Sequence, residues 1–299
     1  MANPETHTEA PVAVTIPPRQ HRTLWWKEAS LFGLFYAVYT FTRNQFGSDY
    51  INGAEVPMRA FNNAMKMIRF ESWIGLYHEE SVQDAFLGYR WFIQAMNTYY
   101  GTAHFFVTIG VFIVLYKKRP DVFPQWRNTL AATTALAIIG FSLFPLMPPR
   151  LLDAPCPADC GYGGACIEAT QRGSDDGKEN FGFVDTLEVY GGPWDFSSGA
   201  AAKVSNQYAA MPSLHIGWAS WCAFAMWPIA KRKWIRAMLL LYPALTLFCV
   251  VVTANHYWID GVGGQLTLLV GFLIGTGIHK WNQRRLDNKH AAEISQKEW

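Results

Sequence analysis

The chain has 299 residues, 51% of them hydrophobic and only 16% charged, with 13 tryptophans and a formal net charge of +2. Soluble domains carry about a quarter charged residues, so the shortfall points to a membrane protein. The near-neutral charge, with no basic stripe interleaved with aromatics, argues against a nucleic-acid partner.

Residues 1–24 are polar and proline-bearing and are expected to form a disordered cytoplasmic tail. A spanning helix needs about 20 mostly apolar residues. The first such stretch covers residues 29–46, interrupted by Arg43 near its far end. No short apolar core with a small-residue cleavage site is present, so this span is expected to remain as an anchor. Residues 47–96 are too charged to cross. Phe61, Met65 and Ile68 repeat there at helical spacing, with Arg59, Lys66 and Arg69 elsewhere on the wheel, which suits helices lying in the outer interface. Five more spans are expected over 97–116, 128–147, 213–230, 237–254 and 261–279. The expected fold is all-α: a polytopic membrane protein of about six transmembrane helices, with interfacial helices between the first two. A long extracytoplasmic loop joins the third and fourth. Residues 25–282 form one membrane domain and 283–299 a cytoplasmic C-terminal tail.

Lys and Arg collect in "KKRP", "KRKWIR" and "KWNQRR" after the second, fourth and sixth spans, and as Arg19, Arg22 and Lys27 before the first. Short loops rich in these residues stay inside, which puts both termini in the cytoplasm. The segment 148–212 holds Arg150, Arg172, Lys178 and Lys203 against nine acidic residues and falls outside. Cys156, Cys160 and Cys166 in that loop can therefore be oxidised, but three is odd and the pairing is open. Zinc needs four ligands, and no histidine stands near them in the loop. Cys222 and Cys249 lie in spans as small packing residues. Residues 153–182 read as a solvated acidic loop, with a lid or partner surface as the alternative.

Three polar clusters fall at the outer ends of three spans: "PLMPPRLL" (145–152), "MPSLH" (211–215) and "NHYWID" (255–260). Topology sets all three at one depth on one side. Pro212 suits a helix start, and Ser213, Leu214 and His215 then offer backbone N–H groups at a helix N-terminus, a natural anion site. Ser213 as a plain cap is the alternative. His256 and Asp260 are four apart and share a helix face, so the carboxylate can fix the imidazole tautomer and sharpen its other nitrogen. Gly261, Gly263 and Gly264 follow and allow close helix packing. Arg150, rigidly placed after two prolines, suits phosphate. One Arg, a helix N-terminus, two histidines and an orienting carboxylate describe metal-free phosphoryl transfer, one imidazole attacking phosphorus and the other protonating the leaving oxygen.

"PPRLL", "PSLH" and "HYWID" in this order resemble the type 2 phosphatidic acid phosphatase superfamily of membrane lipid phosphatases and phosphotransferases. "AAMPSLHIGWASW" and "TANHYWIDGVGG", with "GLYHEESVQ" and "NTYYGTAHFF", most resemble its inositol phosphorylceramide synthase-like branch, the aureobasidin-resistance type of inositolphosphotransferase. The resemblance covers roughly residues 30–280. It implies His256 as the nucleophile that forms a phosphohistidine, oriented by Asp260. It implies His215 as general acid and then base, with Arg150, Ser213 and the backbone at Leu214 holding phosphate. It further implies membrane lipids as donor and acceptor, and no cofactor. The sequence departs from the phosphatase pattern at Leu143, where a Lys is expected, and at Cys249 and Val250, where a Ser-Arg pair is expected. A cation-poor site suits a singly charged diester over a monoester, which brings about two charges. Lys203 or Arg43 could supply a missing charge, and His104 or His78 could touch a head group, although a structural role suits both histidines better. The rival classes are a lipid phosphate phosphatase, an intramembrane serine protease using Ser213 and His256, and a non-catalytic lipid transporter or binder.

Overall fold

The computed structural model describes residues 24–45, 55–154, 180–191 and 207–296. The expected tail 1–24, except Leu24, lies outside the described residues. So do Lys203, Cys156, Cys160, Cys166 and most of the loop 153–182. The described residues are helical without a strand, and one isolated parallel bridge joins Leu146 to Ala209. The helices are α1 (Trp25–Gln45), α2 (Glu55–Trp73), α3 (Glu79–Leu87), α4 (Arg90–Lys118), α5 (Phe123–Leu143), α6 (Pro149–Leu152), α7 (Thr186–Val189), α8 (Leu214–Met226), α9 (Lys233–Val252) and α10 (Trp258–Ser295).

Prolines set two of the helix ends. The residue before a proline is pushed out of helical geometry. Arg119, before Pro120, and Phe144, before Pro145, both leave it with positive ψ, at 61° and 69°. The break after α5 frees the chain to lay residues 145–152 across the end of the bundle.

Among the described residues three helices, α4, α9 and α10, are long and apolar enough to cross a membrane. Their outward residues include Phe106 and Ile113 on α4, Met238 and Leu241 on α9, and Leu269 and Leu273 on α10, all exposed. Apolar surface of this extent is stable against lipid, not water. Helix α8, within the expected span 213–230, is the shortest of the helices found in the six expected spans. It has 13 residues, about 20 Å of rise at 1.5 Å each. Every residue from Ile216 to Ala223 is buried, with α4, α5, α9 and α10 around it. From Ile216 to Ala223 its sequence is apolar on nearly every side because protein covers every side there.

Small residues let α10 approach its neighbours. A Cβ on Gly271 would lie 2.2 Å from Thr133 Oγ1, and one on Gly275 would lie 2.5 Å from the Thr129 nitrogen. The α5 threonines satisfy their hydroxyls on their own helix: Thr129 donates to the Gln125 carbonyl and Thr133 to the Thr129 carbonyl. Neither threonine hydroxyl is stranded at the contact, as close packing in lipid requires. Helix α10 continues to Ser295, through the segment expected as a separate tail. Helix α1 is tied to α5 where Arg127 donates to both Glu28 carboxylate oxygens, at 2.6 and 2.7 Å.

Helix α2 has the amphipathic pattern the sequence predicts, but its apolar side is covered by protein. Phe61, with Met65 and Ile68 beside it, packs into a cluster with Leu146, Met147, Leu151, Leu152, Tyr208 and Tyr257. That cluster fastens α2 and residues 145–152 over the start of α10.

Candidate active site

The three polar clusters meet. The Arg150 amide donates to the Ala254 carbonyl at 2.8 Å, the Ser213 amide to the Asp260 carbonyl at 3.1 Å, and the Leu146 amide to the Tyr208 carbonyl at 2.8 Å. The Tyr257 hydroxyl donates to the Met147 carbonyl at 3.1 Å. Bonds to the main chain of this kind fix the relative positions of segments 47 to 110 residues apart, and so fix the side chains they carry.

His256 arrives on a tight turn between α9 and α10. The amides of Asn255 and His256 both donate to the Val250 carbonyl, at 2.8 and 3.2 Å. The turn requires Ala254 in the left-handed region at φ 52°. That conformation costs an alanine of order 1–3 kcal/mol and persists only where its surroundings over-determine it. Here Ala254 is fully buried and its carbonyl is held by the Arg150 amide.

His256 Nδ1 lies 3.1 Å from Asp260 Oδ2, which also accepts the Tyr257 amide at 3.0 Å. A carboxylate can only accept, so Nδ1 carries the hydrogen and Nε2 presents a lone pair. The Ser213 hydroxyl sits 3.2 Å from Nε2 and donates to it. Ser213 is the N-cap of α8, yet its hydroxyl makes no capping bond. A plain cap does not describe it. Asp260 and Ser213 are fully buried and His256 nearly so, which makes each of these bonds stronger than it would be in water. Asn at Asp260 would offer Nδ1 an amide of either polarity and loosen the tautomer. Asp260→Asn is expected to lower turnover by about 10²–10⁴-fold, read as initial rate in lipid nanodiscs.

His215, in the first turn of α8, faces the same space. Its ring stacks on Tyr100 at 4.4 Å between centroids and stands 5.8 Å from the His256 ring. His104 lies beside it, ring centroids 4.6 Å apart, with Nδ1 on the Tyr100 carbonyl at 3.1 Å. Helix α4 thus brings His104 against His215 rather than leaving it alone in a span. Leu214 opens α8 next to Ser213.

Arg150 is nine-tenths buried and its guanidinium is held from three directions. Nε donates to Asn255 Oδ1 at 3.0 Å, Nη1 to Asp185 and Nη2 to Gln207. The positions departing from the phosphatase pattern carry no charge to the site. Cys249 and Val250 are fully buried and Leu143 is exposed. A cation does come to Leu143, since Arg59 Nη2 donates to its carbonyl at 2.6 Å. Arg43 lies on α1. His78 precedes α3, and its amide donates to Glu79 at 3.0 Å.

Sequence reasoning passed over two acids that hold the start of α10. The first amides of a helix have no partner within it. The Trp258 amide donates to Glu79 Oε1 at 3.1 Å and the Ile259 amide to Glu71 Oε1 at 2.7 Å. Glu71 and Glu79 are both fully buried and hydrogen-bonded to one another. The available signal was Glu71 continuing the apolar stripe Phe61, Ala64, Ile68 at helical spacing, where an acid is out of place.

Burial above all, and then the hydrogen bond and charge of Glu79, push the Glu71 carboxyl up to about 10, against a weaker lowering by the Ile259 amide. Glu71 therefore keeps its proton at neutral pH. A carboxyl raised on folding contributes stability that is whole below its ordinary value near 4.5 and is lost as pH rises through about 10. Glu71→Gln stays neutral throughout. Thermal unfolding in detergent from pH 6 to 10 should show the wild type losing stability and the variant losing less.

The chain belongs to the PAP2 superfamily, whose family model matches residues 65–274. A relative within reach of sequence comparison is the inositol phosphorylceramide synthase catalytic subunit aur1 of Schizosaccharomyces pombe (strain 972 / ATCC 24843). The two are 24% identical over 175 residues, 58% of this chain. The match covers 38% of that relative's length. No solved structure matches the chain. The superfamily match and the distant likeness to that relative support a family of lipid phosphatases and phosphotransferases.

Proposed function

We propose that this chain is a multi-pass lipid phosphotransferase that moves a phospho-head group from a phospholipid diester to a lipid alcohol through a phosphohistidine at His256. The observation that carries the proposal is the line Asp260–His256–Ser213. It sets the Nε2 lone pair, on which the Ser213 hydroxyl rests until a phosphate takes that hydroxyl, at the head of α8, beside His215 and Arg150. Nε2 attacks phosphorus and the bond to the diacylglycerol oxygen breaks, with His215 supplying that oxygen's proton. The acceptor hydroxyl then gives a proton to His215, its oxygen attacks phosphorus, and the phosphorus–nitrogen bond breaks. Arg150, Ser213 and the Leu214 amide hold the phosphate oxygens. The step uses neither a metal nor a cofactor. In this account α1, α4, α5, α8, α9 and α10 form the six-helix membrane body. Both termini are cytoplasmic and the site is extracytoplasmic, at the depth of lipid phosphates. The relative's name, inositol phosphorylceramide synthase catalytic subunit, suggests an inositol phosphate head group and a ceramide-like acceptor.

A second reading draws on the same line. Ser213 donating to His256, which donates to Asp260, is also the order of a nucleophilic serine, its base and its orienting acid. The burial of Ser213 beneath His256 and the anion-binding surroundings favour the histidine as nucleophile.

The test supplies purified protein in nanodiscs with phosphatidylinositol and phosphatidic acid, with and without ceramide or diacylglycerol, in the presence of chelator. Products are read by mass spectrometry. A new head-group-bearing lipid that needs both the diester and the alcohol supports the transferase. Phosphate release from the monoester alone makes the protein a phosphatase and overturns the charge argument. No His256-dependent product sinks catalysis altogether.

A further inference from the structure

We infer that Asp185 is a specificity-determining residue of the phosphate site, setting it for singly charged phosphodiesters and against doubly charged phosphomonoesters. The inference rests on the phosphotransferase proposal and adds a residue and a cause to it.

Asp185 comes from a strap, residues 180–191, that the body of the protein holds closely. Gln83 grips the Val184 peptide on both sides, its Nε2 on the carbonyl and its Oε1 on the amide, each at 2.9 Å. Asn97 donates to the Thr186 and Gly191 carbonyls at 2.8 and 2.9 Å and accepts the Thr186 hydroxyl at 2.9 Å. Asp153 accepts the amides of Phe181 and Phe183, each at 3.0 Å. Three buried or half-buried side chains thus fix one short strap. Its one side chain on the phosphate-binding arginine is Asp185.

The two oxygens of Asp185 have separate tasks. Oδ1 accepts the Leu187 amide at 3.0 Å and caps α7. Oδ2 takes Arg150 Nη1. Capping α7 needs only the first, and a serine or asparagine would serve it equally. The second places a carboxylate, its side chain 8% exposed, on the site's arginine. Gln207 on Nη2 and Asn255 on Nε are neutral, so among the three partners of the guanidinium only Asp185 brings charge.

The consequence is electrostatic. Arg150 and Asp185 together sum to zero, Asp260 already faces His256, and the proton that His215 carries in the proposed first step brings the site one positive charge. Among the described residues no further Lys or Arg is hydrogen-bonded to the Asp185–Arg150–Asn255–His256 group. Three of the five N–H donors of Arg150 are held, leaving two to point at a phosphate. Such a site accepts one negative charge. A second charge meets the Asp185 carboxylate where little water screens it, and like charges juxtaposed in this way discriminate strongly between ligands.

The test uses the full chain in nanodiscs and reads the ratio of kcat/KM for phosphatidylinositol over phosphatidic acid, in wild type, Asp185→Asn and Gln207→Glu. Asparagine keeps the cap through its amide oxygen and removes the charge, so the ratio should fall by about tenfold or more. Gln207→Glu adds a second carboxylate to the same guanidinium and should raise it. A soluble short-chain monoester used as a competitive inhibitor gives a wild-type arm that needs no variant to fold. Its second ionisation lies near pH 6, so it should bind progressively better from pH 8 to 6 relative to a diester inhibitor of the same chain. A ratio unchanged within about twofold in both variants, or a monoester that gains nothing over the diester on acidification, overturns the role of Asp185 while leaving the transferase standing. Absence of His256-dependent turnover of either lipid overturns both.

Discussion

Alanine at His256 is expected to abolish turnover, by about 10⁴-fold or more, while the protein remains folded. The size follows from what the residue does. In the proposed mechanism, removing the imidazole takes away the atom that bonds to phosphorus, and neither His215 nor Ser213 can take its place without moving. His215 is held in its stack on Tyr100. Ser213 would lose the base that accepts its proton. Folding should survive because the bonds that place the turn are made by main chain: Asn255 and His256 amides to the Val250 carbonyl, and Arg150 to Ala254. Asp260 keeps the Tyr257 amide as a partner. Rates on phosphatidylinositol with an alcohol acceptor, compared at matched thermal stability, check this directly. A variant with more than about a tenth of wild-type rate does not fit a nucleophile.

Alanine at Gly264 is expected to damage stability and activity together. A Cβ there would stand 2.4 Å from the Ser213 carbonyl oxygen and 3.3 Å from the Gly217 nitrogen. Both are backbone atoms of the start of α8, so the contact cannot be relieved by a side-chain turn. Overpacking of this sort costs about 1–3 kcal/mol. The cost to catalysis is larger than that figure suggests, because the oxygen that must move belongs to the residue whose hydroxyl meets His256. A shift of about 1 Å at a reacting centre can lower rate by about 10²-fold. Two neighbours provide the controls. A Cβ at Gly263 would come no closer than 3.4 Å to the flexible end of Met211, and one at Gly277 meets nothing within 4 Å. Both alanines should leave thermal unfolding and rate near wild type. Loss at Gly277 equal to that at Gly264 would show that helix α10 dislikes alanine generally, and the close-approach argument would fail.

Much of this site is legible from residue order. The prolines at 145, 148 and 149 end α5 and lay Arg150 across the bundle. The four-residue spacing of His256 and Asp260 brings their side chains together once Trp258 starts a helix. What resists reading is whatever depends on a partner distant in sequence. Asp185 is one acid among nine in the segment 148–212, and nothing local says that it meets Arg150, 35 residues earlier. Glu79 sits in "YHEE" beside a second glutamate, and only the approach of α10 from 179 residues away selects it. The length of α8 is hidden for a different reason. Apolar residues continue past Met226, so composition alone extends a span that the chain ends with a turn. His104 could be named from the sequence, but its contact with His215 across two helices could not.

The most direct test of the central claim is to trap the enzyme during turnover and find which atom carries phosphorus. Wild-type protein is mixed with phosphatidylinositol in the absence of an alcohol acceptor, quenched at alkaline pH, digested and read by mass spectrometry. The account predicts a head-group phosphate on His256 that is stable in base, lost in acid, and discharged when ceramide or diacylglycerol is added before the quench. An acid-stable adduct on Ser213, or an adduct on His215, would contradict it.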